Sequence, residues 1–288
     1  MGIEGIKTLG ILGAGQMGGG IAHVAAAAGY DVVLVDISDE RAEAGKAGIA
    51  KRMGSAVRKG RTTQAEADAA VARISATGDM QAFASADFII EAATENVDLK
   101  LRLFAQLDEI ARPGVILGTN TSSISITRIG AVTGRPTQVV GMHFMNPVPV
   151  MKLVEIISSL QTSEDTLATT LALAEALGKT CVQARDMPGF AVNRILMPYI
   201  NEAFCALYEG IASAKDIDVA MKLGTNVPMG PLTLADFIGL DTCLAIMEVL
   251  HDGFGDSKYR ASPLLRKYVE AGLLGKKTGR GVYDYREA

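Results

Sequence analysis

With 288 residues, of which 49% are hydrophobic and 21% charged, the chain has the length of two domains and the composition of a compact globular protein. The formal net charge of −4 gives no general attraction to nucleic acid or to an anionic membrane, so neither is expected as a partner. No apolar run approaches the roughly 20 residues that a membrane span needs. Three cysteines without C-x-x-C spacing, and an N-terminus without signal-peptide composition, predict a cytoplasmic protein.

Strands and helices alternate through the first part of the chain. The predicted strands are apolar runs bounded by turn residues, at 7–12, 31–35, 87–91, 115–119, 138–144 and 151–157. The predicted helices lie at 16–28, from Ser38 onward, from Thr63 onward, and at 98–111, 125–132 and 163–177. Thr63 and Glu66 stand at capping-box spacing, which places a helix hairpin after the second strand. This alternation predicts an α/β domain built on a parallel sheet.

The pattern changes after Met187-Pro188-Gly189. The remainder is helical, is broken by Gly and Pro, and offers one strand candidate at 281–285. We therefore place a domain boundary near Arg185. An α/β domain is predicted at 1–185 and a mainly α-helical C-terminal domain at 186–288.

A glycine-rich turn joins the first predicted strand to the first predicted helix. It reads Gly13-Ala14-Gly15-Gln16-Met17-Gly18, a G-x-G-x-x-G, and its place between strand and helix makes it a dinucleotide fingerprint. The glycines allow close approach of the backbone to a pyrophosphate, and the helix N-terminus supplies free N–H groups. We therefore predict a Rossmann-type doubly wound sheet with an inserted helix hairpin. Its predicted cofactor-binding residues in this loop are Gly13, Gly15, Gln16, Met17 and Gly18.

Asp36 follows the second predicted strand, 18 residues after Gly18. A carboxylate there accepts hydrogen bonds from both ribose hydroxyls and repels the 2′-phosphate of NADP, so NAD is the predicted cofactor. Two alternatives stay open at this point. One is a glycine-rich turn with an Asp that caps the next helix, and the other is a different Rossmann cofactor such as FAD.

His143 and Glu155 interrupt two apolar runs, 139–144 and 152–157. A carboxylate in such surroundings is costly to bury without a partner. If the proline-containing connection reverses the chain about residue 149, His143 and Glu155 face each other across two antiparallel strands. We predict a hydrogen-bonded pair in which Glu155 orients the imidazole and His143 acts as a general base. A purely structural pair is the alternative.

Other catalytic arrangements find little support in the sequence. No His/Cys/Asp/Glu cluster has metal-ligand spacing, so no metal is predicted. No G-x-S-x-G indicates a serine nucleophile. His23 and His251 lack an acidic partner at useful spacing and are interpreted as structural.

These motifs resemble those of the short-chain 3-hydroxyacyl-CoA dehydrogenase family, most closely its bacterial 3-hydroxybutyryl-CoA members. The resemblance covers essentially the whole chain. It rests on GAGQMG at 13–18, TNTSS at 119–123, GMHFMNPVPVMKLVE at 141–155, PGFAVNR at 188–194, MKLG at 221–224, PMGP at 228–231 and KKTG at 276–279. It implies NAD-dependent oxidation of an (S)-3-hydroxyacyl-CoA, such as 3-hydroxybutyryl-CoA, to the 3-oxoacyl-CoA, or the reverse reduction.

The resemblance also implies roles for single residues. His143 is the base and Glu155 its partner, while Ser122 and Asn193 hold substrate oxygens. The implied cofactor positions outside the glycine loop are Glu95, Lys100, Ser122, Asn146 and Lys277. The domain at 1–185 is implied to bind NAD, and the domain at 186–288 to bind substrate and form a homodimer through the apolar helix 190–208.

Two other functions remain open. A dehydrogenase for a free hydroxy acid shares the same cofactor domain but has less need of a basic hairpin. A non-catalytic NAD-binding structural protein is the second, and the complete set of His143, Glu155, Ser122 and Asn193 argues against it.

The helix hairpin is strongly basic. Residues 41–61 carry seven Lys or Arg and one Glu, a local charge of +6 in a chain of −4. This segment follows the second strand and can project beyond the ligand-binding edge of the sheet, where the phosphates of CoA could lie. The resemblance assigns CoA binding to Lys51 and Lys59, whereas another such position is Ser55 here. A solvated basic helix face is the alternative.

Overall fold

The computed structural model describes residue 3 and residues 5–286. The chain divides between Met187 and Pro188 into two compact units, close to the boundary predicted near Arg185. Among the described residues, the named strands all belong to the first unit, and the second unit is built from helices.

The first unit is built on one eight-stranded sheet. Its strands are β1 (Thr8–Leu12), β2 (Asp31–Val35), β3 (Ile74–Thr77), β4 (Phe88–Glu91), β5 (Ile116–Thr119), β6 (Val139–Phe144), β7 (Leu153–Ser158) and β8 (Thr180–Arg185). Their order is β3-β2-β1-β4-β5-β6-β7-β8, and every neighbouring pair is parallel except β6 and β7. The order reverses direction between β1 and β4, which is the switch point of a doubly wound dinucleotide-binding sheet. The predicted fold class is confirmed.

Two of these strands, β3 and β8, are not evident in the sequence. Both lie at the edges of the sheet. In β3 only Ile74 is buried, and β8 has no buried residue. An edge strand with so little burial does not produce an apolar run, so its sequence lacks the signal that identifies the central strands.

In the described part of the first unit, six α-helices accompany the sheet. They are α1 (Gln16–Ala27), α2 (Asp39–Arg58), α3 (Gln64–Ala72), α4 (Val97–Ile110), α5 (Ile126–Gly130) and α6 (Glu164–Ala176). The Ser38 side chain accepts a hydrogen bond from the Arg41 N–H and caps α2. Thr63 and Glu66 form the predicted capping box at the start of α3. Helices α2 and α3 therefore make the helix hairpin that the sequence predicts.

The centre of the sheet is covered on both faces. Leu9, Ile11 and Ile90 are fully buried in a hydrophobic cluster on one face, and Ile89 and Leu117, which point the other way, are fully buried on the opposite face. Each such side chain contributes about 1.5–3 kcal/mol when it leaves water. Burial on both faces explains why these strands appear as nearly continuous apolar runs, and it makes the sheet a firm base for the loops at its strand ends.

The second unit consists of α7 (Val192–Tyr208), α8 (Ala214–Thr225), α9 (Pro231–Ile238), α10 (Leu240–Phe254) and α11 (Pro263–Glu270). These helices enclose a core of their own. Apolar side chains from each of the five helices contribute to it, among them Met197, Phe204, Ile217, Leu232, Met247 and Leu265. The mainly helical second domain is confirmed.

The strand predicted at 281–285 is wrong. This segment makes only isolated bridges, which pair Arg280 with Gly275 and with Asp284. The reason lies in the buried carboxylate of Asp236, whose two oxygens accept the N–H groups of Val282 and Tyr283, each at 2.9 Å. A side chain thus takes the backbone donors that a neighbouring strand would otherwise accept.

Within residue 3 and residues 5–286, no helix combines the length and the apolarity needed to cross a bilayer. The same described residues contain no group of three His, Cys, Asp or Glu side chains that could hold a metal ion.

Candidate active site

The glycine loop between β1 and α1 has no room for side chains at two positions. Gly13 has a φ of +101°, and a Cβ there would lie 2.7 Å from the carbonyl oxygen of Ala92. A Cβ on Gly18 would overlap the carbonyl oxygen of Gly13. The loop and α1 therefore pack in direct backbone contact, as a tight dinucleotide turn requires.

The start of α1 is open and uncapped. Gly15 is its N-cap residue and offers no side-chain acceptor, and a Cβ on Gly15 would meet nothing within 4 Å. The N–H groups of the first turn therefore point into space with the positive end of the helix dipole behind them. This arrangement fits the pyrophosphate of a dinucleotide.

Asp36 stands beside the same loop, just after β2. Its Oδ2 accepts the Ala14 N–H at 2.6 Å and its Oδ1 accepts the Ile37 N–H at 2.8 Å. With Gly15 and Gln16 it lines a cavity of about 510 Å³. A fixed carboxylate at this place fits the adenosine ribose of NAD and disfavours a 2′-phosphate.

The other predicted members of the loop have different environments. Gln16 donates through Nε2 to the Oδ1 atom of Asn146 at 2.9 Å, which brings two predicted cofactor positions together. Met17 is half-buried and packs against the hydrophobic cluster of the sheet. Met17 therefore stabilises the loop by packing behind it. Its contact with the cofactor stays a prediction.

Glu95 anchors the loop that follows β5. Its Oε1 accepts hydrogen bonds from the Thr121 hydroxyl at 2.6 Å and from the N–H groups of Ser122 at 2.9 Å and Ser123 at 3.1 Å. The Ser122 hydroxyl lies 3.3 Å from the same oxygen. Burial favours the neutral carboxyl, but the Lys100 charge and these hydrogen bonds outweigh it and lower the pKa of Glu95.

Lys100 is fully buried, whereas a residue predicted to contact the cofactor is expected to be at least partly exposed. Its Nζ lies 2.7 Å and 2.9 Å from the two carboxylate oxygens of Glu91, which is also fully buried, and 3.6 Å from Oε2 of Glu95. Glu91 also accepts the Thr119 hydroxyl at 2.7 Å. Glu91 is not among the site residues predicted from the sequence, although an acid that closes the apolar run of β4 is a signal for it.

His143 and Glu155 are direct neighbours across the antiparallel pair β6–β7, in the predicted register. The His143 Nδ1 lies 2.7 Å from the Glu155 Oε2, and the Glu155 side chain is fully buried. An ionised carboxylate only accepts hydrogen bonds, so with Glu155 ionised the proton of the neutral ring sits on Nδ1 and Nε2 is the basic nitrogen. Such a pair can take up a proton and stabilise the resulting imidazolium.

The carboxyl ends of the parallel strands bring these groups to one edge of the sheet. Asp36 follows β2, Glu95 follows β4, Ser122 follows β5, and His143 is the penultimate residue of β6. Open α/β sheets bind ligands at this edge, beside the switch point. The first unit thus carries the predicted cofactor loop and the predicted acid–base pair on the same side.

Two predicted residues belong to the second unit. Asn193 is buried in the first turn of α7. The next residue, Arg194, places its guanidinium 4.1 Å and 4.4 Å from the ring centres of Phe254 and Tyr259, which fixes the start of this helix. Lys277 is half-exposed, and its Nζ lies 2.7 Å from Oδ2 of Asp241.

The basic hairpin exposes its two predicted CoA-binding residues. Lys51 lies on α2, which ends at Arg58, so Lys59 is the C-cap residue. Arg52, which the sequence marks only as one member of the basic segment 41–61, is a further candidate. It lines the cavity beside Asp36, and its Nη2 donates to the Gly19 carbonyl at 3.0 Å. Partial burial lowers the pKa of Arg52.

Comparison with known proteins identifies the family. Residues 8–187 match the model of the 3-hydroxyacyl-CoA dehydrogenase NAD binding domain, and residues 189–285 match that of the 3-hydroxyacyl-CoA dehydrogenase C-terminal domain. A "Probable 3-hydroxybutyryl-CoA dehydrogenase" of Bacillus subtilis is 56% identical over 98% of both chains. A 3-hydroxybutyryl-CoA dehydrogenase of Bradyrhizobium diazoefficiens is 52% identical over 98% of this chain and 97% of its own.

A solved structure gives the same result. The crystal structure of (S)-3-hydroxybutyryl-CoA dehydrogenase from Ralstonia eutropha superposes with a TM-score of 0.95 at 53% identity, covering 97% of this chain and 99% of the other. The resemblance predicted from the motifs is confirmed. This chain is an oxidoreductase that uses NAD, and it belongs to the 3-hydroxyacyl-CoA dehydrogenase family.

Proposed function

We propose that this protein interconverts (S)-3-hydroxyacyl-CoA and 3-oxoacyl-CoA, with 3-hydroxybutyryl-CoA and acetoacetyl-CoA as its substrate pair. The observation that carries the proposal is the hydrogen-bonded His143–Glu155 pair at the ligand-binding edge of a dinucleotide-binding sheet. The names of the relatives support the choice of substrate. The reaction in cells is proposed to take place in the cytoplasm.

In the oxidation, His143 Nε2 takes the proton of the substrate 3-hydroxyl as the C3–O bond becomes a carbonyl. NAD, when bound, supplies the acceptor for the hydride that leaves C3. Glu155 holds the proton on Nδ1 and stabilises the imidazolium that forms, so the pair acts as one acid–base unit. In the reduction the same imidazolium returns the proton to the substrate oxygen.

Ser122 and Asn193 are proposed to hold the substrate oxygens. The Ser122 backbone and hydroxyl are both directed by Glu95, which lowers their freedom before substrate arrives. Asn193 presents an amide at the start of α7 in the second unit, which we propose is the substrate-binding domain. Glu95, Asn146 and Lys277 are proposed as contacts to the cofactor.

A single assay tests the substrate class. With NADH as reductant, acetoacetyl-CoA is expected to be reduced with a much higher kcat/KM than free acetoacetate. A dehydrogenase for free hydroxy acids would give the opposite order. No turnover of either compound by folded, NADH-binding protein would favour a non-catalytic role.

The lysines of the hairpin give the first prediction. Replacing Lys51 and Lys59 with alanine is expected to raise KM for acetoacetyl-CoA several-fold and to leave KM for NADH unchanged. Both side chains are exposed, so they act on capture of the CoA phosphates, and the effect weakens as salt rises. Steady-state kinetics at low ionic strength measures it.

The matched control for this variant is Lys215→Ala with Lys222→Ala, which removes two exposed lysines from α8 and changes the net charge equally. It is expected to leave KM for acetoacetyl-CoA unchanged. A truncated thioester that lacks the nucleotide is expected to be insensitive to both double variants. An unaltered KM for acetoacetyl-CoA in the Lys51/Lys59 variant would make these lysines a solvated surface.

The second prediction concerns assembly. The helical unit exposes apolar side chains on two neighbouring helices: Ile195 of α7 is 73% exposed and Leu223 of α8 is 81% exposed. Between these helices lies an apolar cavity of about 670 Å³. Exposed apolar surface of this kind is typical of interaction sites, and we propose that a second copy of this chain covers it.

Light scattering is therefore expected to give twice the 30.2 kDa chain mass. Ile195→Glu is expected to shift the protein toward the monomer, because it places a charge in the apolar interface. A wild-type monomer at assay concentration would dispose of the homodimer, and an Ile195→Glu variant that stays dimeric would place the interface elsewhere.

A further inference from the structure

Three ionisable side chains form a chain of contacts at the carboxyl end of β4. Glu91 ends that strand, Glu95 lies in the loop after it, and Lys100 is in the first turns of α4. Lys100 and Glu91 are fully buried, whereas the Glu95 side chain is 36% exposed. The group therefore runs from the interior of the unit to its surface.

The donors of Lys100 are directed inside the protein. Its Nζ contacts both carboxylate oxygens of Glu91, the Ala93 carbonyl oxygen at 3.3 Å, and Oε2 of Glu95. An ammonium has three donors and no acceptor, so these partners account for all of them. In this arrangement Lys100 reaches a ligand only through Glu95.

Glu95 connects this buried pair to Ser122. The oxygen that does not face Lys100 lies within 3.3 Å of five donors of the loop after β5: the hydroxyls of Thr121, Ser122 and Ser123, and the N–H groups of Ser122 and Ser123. One carboxylate thus ties the loop after β4 to the loop after β5. If the Glu95 carboxylate moves, the hydrogen bonds to the Ser122 N–H and hydroxyl must move or break with it.

The topology of the sheet places this connection at one end of the cofactor site. A dinucleotide lies across the switch point between β1 and β4, with its adenosine beside the acid that follows β2. Since Asp36 is that acid, the nicotinamide half lies on the side of β4 and β5, where Glu95 and Ser122 stand.

We propose that Glu91 and Lys100 are positioning residues for the nicotinamide half of the NAD site. Glu91 fixes Lys100, Lys100 fixes the Glu95 carboxylate, and Glu95 fixes Ser122. The role of Ser122 toward substrate belongs to the proposed function. The positioning of the cofactor does not depend on which substrate the enzyme takes, and binding of NADH alone tests it.

The experiment compares two single variants with a double variant. Glu91→Gln leaves the buried Lys100 with Glu95 at 3.6 Å as its remaining acidic contact, and Lys100→Met leaves the buried Glu91 without its cation. Both variants are expected to lower Tm on the order of 10 °C. The double variant Glu91→Leu/Lys100→Met removes both charges and is expected to regain most of that Tm. Its NADH affinity, measured by fluorescence titration, is nevertheless expected to stay about five- to tenfold weaker, because Glu95 has lost its cation.

Two controls separate positioning from a general loosening of the unit. ADP carries the adenosine end and the phosphates alone, so its Kd is expected to be unchanged in the double variant. Asp108→Leu/Arg135→Met removes another ion pair, held at 2.6 Å, near the opposite end of α4. It is expected to lower Tm without changing the Kd for NADH.

The outcomes are distinct. A double variant with the wild-type Kd for NADH would overturn the proposal and leave Glu91 and Lys100 as a fold element. Equal weakening of NADH and ADP would overturn it as well, since the defect would then not be confined to the nicotinamide end. If the double variant does not fold, Thr119→Val removes the hydrogen bond to Glu91 without altering a charge, and unchanged NADH binding in that variant would count against the proposal. If the protein binds NADH but does not reduce acetoacetyl-CoA, the substrate assignment fails and this test remains decisive.

Discussion

Replacing His143 with alanine is expected to lower kcat for acetoacetyl-CoA reduction by about 10²- to 10⁴-fold, the usual contribution of a positioned general acid–base group. The Kd for NADH is expected to stay near the wild-type value, because the glycine loop and Asp36 follow other strands, β1 and β2. Glu155→Gln is expected to lower kcat as well, since an uncharged partner cannot stabilise the imidazolium. Stopped-flow kinetics with a parallel NADH titration measures both quantities.

His251→Ala is the matched control for this prediction. His251 is an exposed histidine near the end of α10, and its Nδ1 lies 3.3 Å from the Asp252 carboxylate. It shares the residue type and the acidic neighbour of His143 but not the burial or the place at the sheet edge. The kcat of the His251→Ala variant is expected to equal that of the wild-type enzyme. A folded His143→Ala variant with near-normal kcat would remove His143 as the base.

His23 differs from both. Burial and the nearby charges of Arg52 and Lys179 lower the pKa of His23 to about 4, so its ring is neutral at neutral pH. A neutral, partly buried ring suits the structural role predicted for His23 from the sequence.

The central features of the first unit could be predicted because each has a local signal. Strands buried on both faces produce apolar runs, and G-x-G-x-x-G gains meaning from the strand before it and the helix after it. His143 and Glu155 lie symmetrically about a reversal of the chain, so their pairing follows from counting residues. The register of an antiparallel strand pair therefore predicts the contact between His143 and Glu155, which are twelve residues apart in the sequence.

The features that could not be predicted depend on contacts without periodicity. The Glu91–Lys100 ion pair joins a strand end to a helix, and its burial depends on the packing of α4 against the sheet. The predicted strand at 281–285 fails for a similar reason, because a carboxylate from a distant helix, Asp236, takes its backbone donors. The acid at the end of β4 marks Glu91 but not its partner Lys100, and the Asp236 contact leaves no pattern in segment 281–285.

A substitution in the glycine loop is also expected to have a large effect, in this case on binding of NADH. Gly18→Ala adds one methyl group at a point where α1 meets the Gly13 carbonyl oxygen without space between them. The helix or the loop must shift, at a cost of about 1–3 kcal/mol in unfolding free energy. Because Gly13 is also held by its N–H to the Val35 carbonyl at 2.7 Å, the strain falls on the start of α1.

That start is the predicted binding place of the pyrophosphate, so NADH affinity is expected to fall at least about tenfold in Gly18→Ala, beyond the loss of stability. Gly19→Ala is the matched control, since its Cβ would meet only the end of the flexible Arg52 side chain at 3.3 Å and the Ala14 carbonyl oxygen at 3.4 Å. Alanine is favoured over glycine within a helix by about 1 kcal/mol, so Gly19→Ala is expected to keep or slightly raise Tm. Fluorescence titration gives the Kd for NADH of each variant, and thermal unfolding gives its Tm. The comparison is between two adjacent positions of the same helix. Equal NADH affinity in both would mean that close packing at Gly18 serves the fold and not the cofactor.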